Sequence, residues 1–219
     1  MIVSHAKKFI FLHNPKAAGT SLRNALEPYH DHPTRFWGVV RNGYFGGEID
    51  YAHLRAWELP VAAPRLFAQW DSFNTLAVVR DPLSRFYSSC FEHFRNFRPD
   101  TGFHVLSVNA RIRLVRQLVE GDLTFATARG DVRYVHFSLQ TWFTHLGERR
   151  MARHIVPVRS ENDDFAEVYR LLGVPPVAMP PLNRAVGAAW PADGDPVINK
   201  FVRAFYAADY ALLEGLPKV

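Results

Sequence analysis

Residues 9–26, FIFLHNPKAAGTSLRNAL, constrain this chain more than any other stretch. Phe9 to Leu12 is a short apolar run of β character. It ends in His13-Asn14-Pro15, which no helix carries at that point. Lys16-Ala17-Ala18-Gly19-Thr20-Ser21 follows, small residues around one glycine. Leu22, Ala25 and Leu26 then recur at helical spacing. The pattern predicts a strand, a tight loop and a helix. A helix starting there leaves its first N–H groups without intrahelical acceptors, at the positive end of its dipole. Small side chains let an anion approach that backbone, and Lys16 adds a full positive charge. The loop therefore reads as a phosphate or sulfate cradle. It is not a Walker A loop, in which lysine directly precedes Ser or Thr. Here the lysine comes first and Gly19-Thr20-Ser21 follow.

A second anchor lies at residues 74–97, NTLAVVRDPLSRFYSSCFEHFRNF. Thr75 to Val79 reads as a buried parallel strand. Asp81 and Pro82 mark a helix start, with a capping side chain at the N-cap and proline at the first helical position. Phe86, Cys90, Phe94 and Phe97 repeat at helical spacing and form the expected buried face. Ser84, Arg85 and Ser88 share the other face. Arg80 sits at the carboxyl end of the strand, where open α/β sheets bind their ligands.

The PKAAGTS loop after a strand resembles the 5′-phosphosulfate loop of sulfotransferases that use 3′-phosphoadenosine 5′-phosphosulfate (PAPS). Arg80-Asp81-Pro82-Leu83-Ser84-Arg85-Phe86-Tyr87-Ser88 resembles their 3′-phosphate motif, R-D-P-x-x-R-x-x-S. The two occur in the family's order. The resemblance is to the carbohydrate, Golgi-type superfamily, in the manner of a soluble bacterial member, and extends more loosely to about Leu213. It implies a three-layer, P-loop-like α/β domain with a central parallel sheet flanked by helices. It implies sulfuryl transfer from PAPS to an acceptor hydroxyl, on a carbohydrate, with 3′-phosphoadenosine 5′-phosphate (PAP) as product and no metal. Lys16, Ala17, Ala18, Gly19, Thr20 and Ser21 would hold the phosphosulfate, with Lys16 also catalytic. Arg80 and Ser88 would hold the 3′-phosphate. A histidine or glutamate between the two motifs often serves the family as base. His53 is the candidate, with Glu48 and Glu58 behind it. An Asn-containing loop closes over the nucleotide in the family, which points to Asn183 and Arg184.

The rest of the chain adds detail. One domain over residues 1–219 is expected, with no apolar run of membrane-spanning length. Cys90 is the single cysteine, which fits a reducing, cytoplasmic setting. The N-terminus has no signal-peptide pattern. The net charge of +5 favours an anionic partner without naming one. His30-Asp31-His32 lacks a third ligand at metal spacing and reads as solvated loop. A short strand is expected at Phe36–Val40 and a helical insert at 99–130, ended by Gly121, with Arg111, Arg113 and Arg116 on a solvated basic face. His136 reads as core or loop. A short helix should begin at Gln140, a strand should span His154–Val158, and helices should span about Asp163 to Leu172 and Val197 to Leu213. Glu161, Asp163 and Asp164 read as helix-start charges. Two rival functions remain: a P-loop kinase or phosphotransferase, which lacks its Walker A and an evident magnesium carboxylate, and a basic nucleic-acid-binding domain, which rests on charge alone.

Overall fold

The computed structural model of the chain describes residues 1–31, 36–158, 165–177, 190 and 194–217. Its α/β character centres on a four-stranded mixed sheet made, in sheet order, of β1 (Ile2–Ser4), β2 (Phe9–Leu12), β5 (Asn74–Arg80) and β8 (His154–Val158). β6 (His145–Leu146) and β7 (Arg149–Arg150) pair apart from it. β2, β5 and β8 run parallel, and β1 is antiparallel to β2. The strands read as near-continuous apolar runs because both faces of the sheet are covered. Ile10, Leu12, Ala77, Val79 and Ile155 pack on one side with Leu59 and Leu66, from α2 (Leu59–Ala62) and α3 (Pro64–Ala68). Phe9, Phe11, Leu76, Val78 and Val158 pack on the other with Leu22, Leu26, Val168 and Leu172, from α1 (Gly19–Leu26) and α8 (Ala166–Leu172).

β5 leads into α4 (Pro82–Phe97). The Asp81 carboxylate accepts from the Ser84 N–H at 2.8 Å, so the expected cap is formed. Phe86, Cys90 and Phe94 open a second, helical core with Phe103, Val115, Leu118, Phe137, Ile198 and Val202. Around it lie α5 (Val108–Gln117), a π-helical turn at Leu118–Asp122, α6 (Phe125–Gly130) and a 3-10 segment at Val132–Phe137. α9 (Pro196–Phe205) and α10 (Ala207–Glu214) close it. Among the described residues no helix is long and apolar enough to cross a membrane.

Several expectations need correction. The strand expected at Phe36–Val40 begins later. β3 (Val39–Asn42) pairs antiparallel with β4 (Gly47–Asp50) as a hairpin, because Gly38 turns the chain at φ 80° just before it. Phe97 is 43% exposed, since the last turn of α4 overhangs the core. Arg85, placed on the polar face, is buried: it donates to the His136 carbonyl at 2.9 Å and to the Ser138 carbonyl. The basic face of the insert is only partly solvated. Arg111 is buried and donates to the Phe103 and His104 carbonyls at 2.8 and 2.7 Å, Arg116 pairs with Asp195 at 2.6 Å while its side chain stays 43% exposed, and Arg113 is exposed. Gly121 lies inside the π turn and does not end the helix. His30 is buried, with its ring against the Val3 backbone, and His32 lies outside the described residues. The helix expected from Asp163 starts at Ala166. Glu161, Asp163 and Asp164 lie outside the described residues. The closing helix is broken at Tyr206, whose hydroxyl donates to the Phe137 carbonyl at 2.9 Å.

One side chain ties the sheet to the helical core. Gln140 precedes α7 (Thr141–Thr144). Its Oε1 accepts from the Arg80 N–H at 2.8 Å and from Asn14 Nδ2 at 3.4 Å, and its Nε2 donates to the Arg80 carbonyl at 2.8 Å. Asn14 Nδ2 also donates to the Val78 carbonyl at 3.2 Å. The buried Asp209 carboxylate accepts from the Gln140 and Thr141 N–H groups at 2.8 and 3.0 Å. Gln140→Leu is expected to cost about 1–3 kcal/mol by leaving these groups without partners. Urea unfolding should show a lower midpoint at unchanged slope.

Candidate functional site

β2 and β5 are adjacent and parallel, with Leu12 opposite Ala77. The chain leaves both at the same edge of the sheet, the edge where ligands of parallel α/β sheets bind. From β2 it enters the loop His13–Ala18. Lys16 and Ala18 there adopt left-handed conformations, φ 61° and 60°, uncommon for residues with a Cβ. Ala17 between them is buried in the core under α1. Ala18 is the N-cap of α1 and supplies no side-chain cap. The Leu22 N–H donates to the Ala18 carbonyl at 3.3 Å. Among the described residues nothing accepts from the N–H groups of Gly19, Thr20 and Ser21. Gly19 is required by a close approach. A Cβ on it would sit 2.0 Å from Cδ2 and 2.2 Å from Nε2 of His13.

Lys16 is held from α4. Its Nζ lies 3.1 Å from Glu92 Oε2. Glu92 also accepts from Asn96 Nδ2 at 2.9 Å and from Arg95. Burial would raise the Glu92 carboxyl, but Lys16, Asn96 and His136 outweigh it and hold it at about 2. Ser88 lies one turn before Glu92 and is half-buried, so the α4 face bearing it looks toward the loop. Arg80 is half-buried at the end of β5, its backbone fixed by Gln140.

A cluster of imidazoles borders the loop. His53 closes the 3-10 turn Tyr51–His53, which Asp50 caps by accepting from the Ala52 N–H at 2.9 Å. The His13 and His53 ring centroids are 4.3 Å apart, and those of His53 and His136 are 5.3 Å apart. His53 Nδ1 is 2.9 Å from the His13 carbonyl. A carbonyl only accepts, so Nδ1 carries the proton and Nε2 keeps its lone pair. Burial, then the charge of neighbouring groups, pushes His13 and His136 well below the usual imidazole value. Burial also lowers His53, against the pull of Asp50 and the His13 carbonyl. All three rings are therefore neutral near pH 7. The His53 Nε2 is a hydrogen-bond acceptor and a competent base or ligand.

The structure thus brings Lys16, the Gly19–Ser21 amides and His53 together, with α4 beside them. Glu58 is engaged elsewhere. It is buried and locked to Arg55, accepting from the Arg55 N–H and Nη1, each at 2.7 Å. Glu48 is exposed on β4, opposite Arg41. Asn183 and Arg184 lie outside the described residues. Sequence reasoning passed over His13, Asp50 and Glu92 and read His136 as core or loop. Only Glu92 carried a local signal, four residues after Ser88 on one helix face. Comparison with family models finds none that matches, and comparison with curated proteins and with solved structures finds no significant match.

These imidazoles set a pH dependence. Their folded pKa values lie below the usual 6.5, so on acidification the unfolded chain binds protons first. The stability they contribute is complete above pH 6.5 and is lost as pH falls toward the folded values. Glu92 acts lower: its contribution is complete above 4.5 and is lost as pH falls toward about 2. Thermal melts should show Tm falling once pH drops below about 6.5. The slope between pH 6.5 and 5 should be shallower in His136→Phe.

Proposed function

We propose that this chain is a PAPS-dependent sulfotransferase acting on a hydroxyl of an acceptor, a carbohydrate. One observation carries the reading. The anion loop and the Arg80–Ser88 segment leave adjacent parallel strands at one edge, as a donor gripped at both its 5′ and 3′ ends requires. The covered sheet, with helices on each side, supports the three-layer P-loop-like description. On this reading the Gly19, Thr20 and Ser21 amides receive the 5′-phosphosulfate, with Ala17 and Ala18 keeping the approach free of bulk. Arg80 and Ser88 receive the 3′-phosphate. Arginine suits this better than lysine because its paired N–H donors match two phosphate oxygens.

In the reaction the acceptor oxygen bonds to sulfur while the bond from sulfur to the 5′-phosphate oxygen breaks. PAP leaves with that electron pair. Lys16 stabilises the charge developing on the bridging oxygen, after exchanging its Glu92 partner for the donor. The acceptor proton passes to His53 Nε2, free because Nδ1 is engaged by the His13 carbonyl.

Two measurements test this. Calorimetric titration should show PAP binding more tightly than AMP. Arg80→Ala should weaken PAP about 10- to 100-fold, through loss of a charge-assisted contact, and hardly change AMP. Equal losses for both ligands would remove Arg80 as a phosphate reader. In transfer assays from PAPS, His53→Ala should lower the rate about 10²–10⁴-fold with PAP affinity unchanged. Lys16→Ala should lower kcat by the equivalent of about 3 kcal/mol. Full activity in either variant would overturn its assigned role. Magnesium-dependent turnover of ATP in place of PAPS would replace this reading with a phosphotransferase.

A further inference from the structure

Asp50, His53 and His136 meet in a way the transfer scheme does not use. Each offers one ligand atom, and these atoms all lie within 4.8 Å of one another. We propose that Asp50, His53 and His136 form a three-ligand site for a zinc ion, with its remaining position open to water.

Asp50 and His53 are the cap and the last residue of one 3-10 turn, so residues three apart stand over one another. His136 comes from the Val132–Phe137 segment. Its backbone is pinned, since its carbonyl accepts from Arg85 Nη1 at 2.9 Å and Ser89 Oγ at 2.8 Å. The supporting bonds match those that orient metal ligands. A ligating histidine commonly donates its other ring N–H to a backbone carbonyl, and a ligating carboxylate is itself hydrogen-bonded. His53 Nδ1 meets the His13 carbonyl at 2.9 Å, and Asp50 Oδ1 accepts from the Ala52 N–H at 2.9 Å. That leaves His53 Nε2 and the second Asp50 oxygen for a cation. The nearby Lys16 charge is already matched by Glu92 at 3.1 Å, so it opposes a dication less than a bare ammonium would.

Two imidazoles and one carboxylate favour zinc over magnesium or calcium, which prefer oxygen alone. Three protein ligands with a fourth position open is the pattern of exchangeable zinc sites. Tetrahedral zinc sets its ligand atoms about 3.4 Å apart. The side chains must therefore close by at most about 1.4 Å, within reach of ring rotation about the broad terminal torsion of histidine.

The site stands independently of the transfer reading but has a consequence for it. His53 Nε2 cannot hold zinc and accept a proton at once, so zinc should inhibit transfer. The test does not use activity. Metal-stripped full-length protein is titrated with zinc against a chromophoric chelator, and with cobalt while recording the visible spectrum. One ion per chain, with absorption edge spectroscopy counting two imidazole ligands, supports the site. Asp50→Asn and His136→Phe should each weaken zinc at least about 10-fold. No uptake by the wild type, fewer than two imidazole ligands, or unchanged affinity in folded variants would overturn it. The ligand count is read on the wild type, so it decides the matter even where a variant fails to fold.

Discussion

The site depends on one side-chain amide. Gln140 satisfies both backbone groups of Arg80 and an N–H of Asn14, so it joins the ends of the two strands that frame the edge. At the end of a sheet these groups have lost their ladder partners, and leaving them unpaired away from water is costly. An amide can satisfy a donor and an acceptor at once, which no apolar or charged side chain can do. Gln140 is in turn held through its own N–H by Asp209, so α10 reaches the sheet edge through two hydrogen bonds. The helical core and the sheet core are thereby coupled at the point where the candidate ligands would sit. The loop after β2 and the arginine that ends β5 keep a fixed separation, as the proposed two-ended ligand would need.

Charge at the edge is balanced between elements, not within them. Lys16 projects from a loop of small residues that offers it no counter-ion. The counter-ion comes from α4, through Glu92. The three imidazoles beside it stay neutral because burial opposes their protonation. Neutrality keeps a lone pair on His53 and avoids stacking further positive charge beside Lys16. Under the sulfotransferase proposal an arriving anion would meet amides and one ammonium, and would displace one carboxylate. This exchange is cheaper than drawing a bare lysine out of water, because Lys16 is already partly desolvated in its ion pair.

Much of the frame was legible in the sequence because its signals are local. The strand at His154–Val158, the Asp81 cap and the strand–loop–helix of residues 9–26 follow from runs of apolar residues and the chemistry of their ends. The failures share one physical cause. Arg85 and Arg111 look like members of polar helix faces when read at helical spacing, yet both are buried and donate to backbone carbonyls, and Arg116, half exposed, reaches the Asp195 carboxylate. His136 and Asp50 carry no pattern of their own, and their meeting with His53 depends on how three separate turns pack. Glu58 fits a search for acids between the motifs as well as His53 does. What sets it apart is Arg55, three residues away, whose backbone N–H and inward-turned guanidinium both bond it.

The loop shows why these particular small residues are needed together. Lys16 and Ala18 hold left-handed backbone conformations, each costing on the order of 1–2 kcal/mol for a residue with a Cβ. Such strain persists only where the surroundings over-determine it. Here the buried Ala17 methyl fixes the middle of the loop in the core under α1. Asn14 anchors its start through Val78 and Gln140. Gly19 ends it by admitting the His13 ring at a distance no Cβ would allow. The His13 residue then acts twice: its ring occupies the space Gly19 leaves, and its carbonyl fixes the tautomer of His53. The residue packed against Gly19 is thus also the one whose carbonyl orients His53. The shape of the loop and the orientation of His53 share one steric requirement, and a methyl group added at position 19 would disturb both.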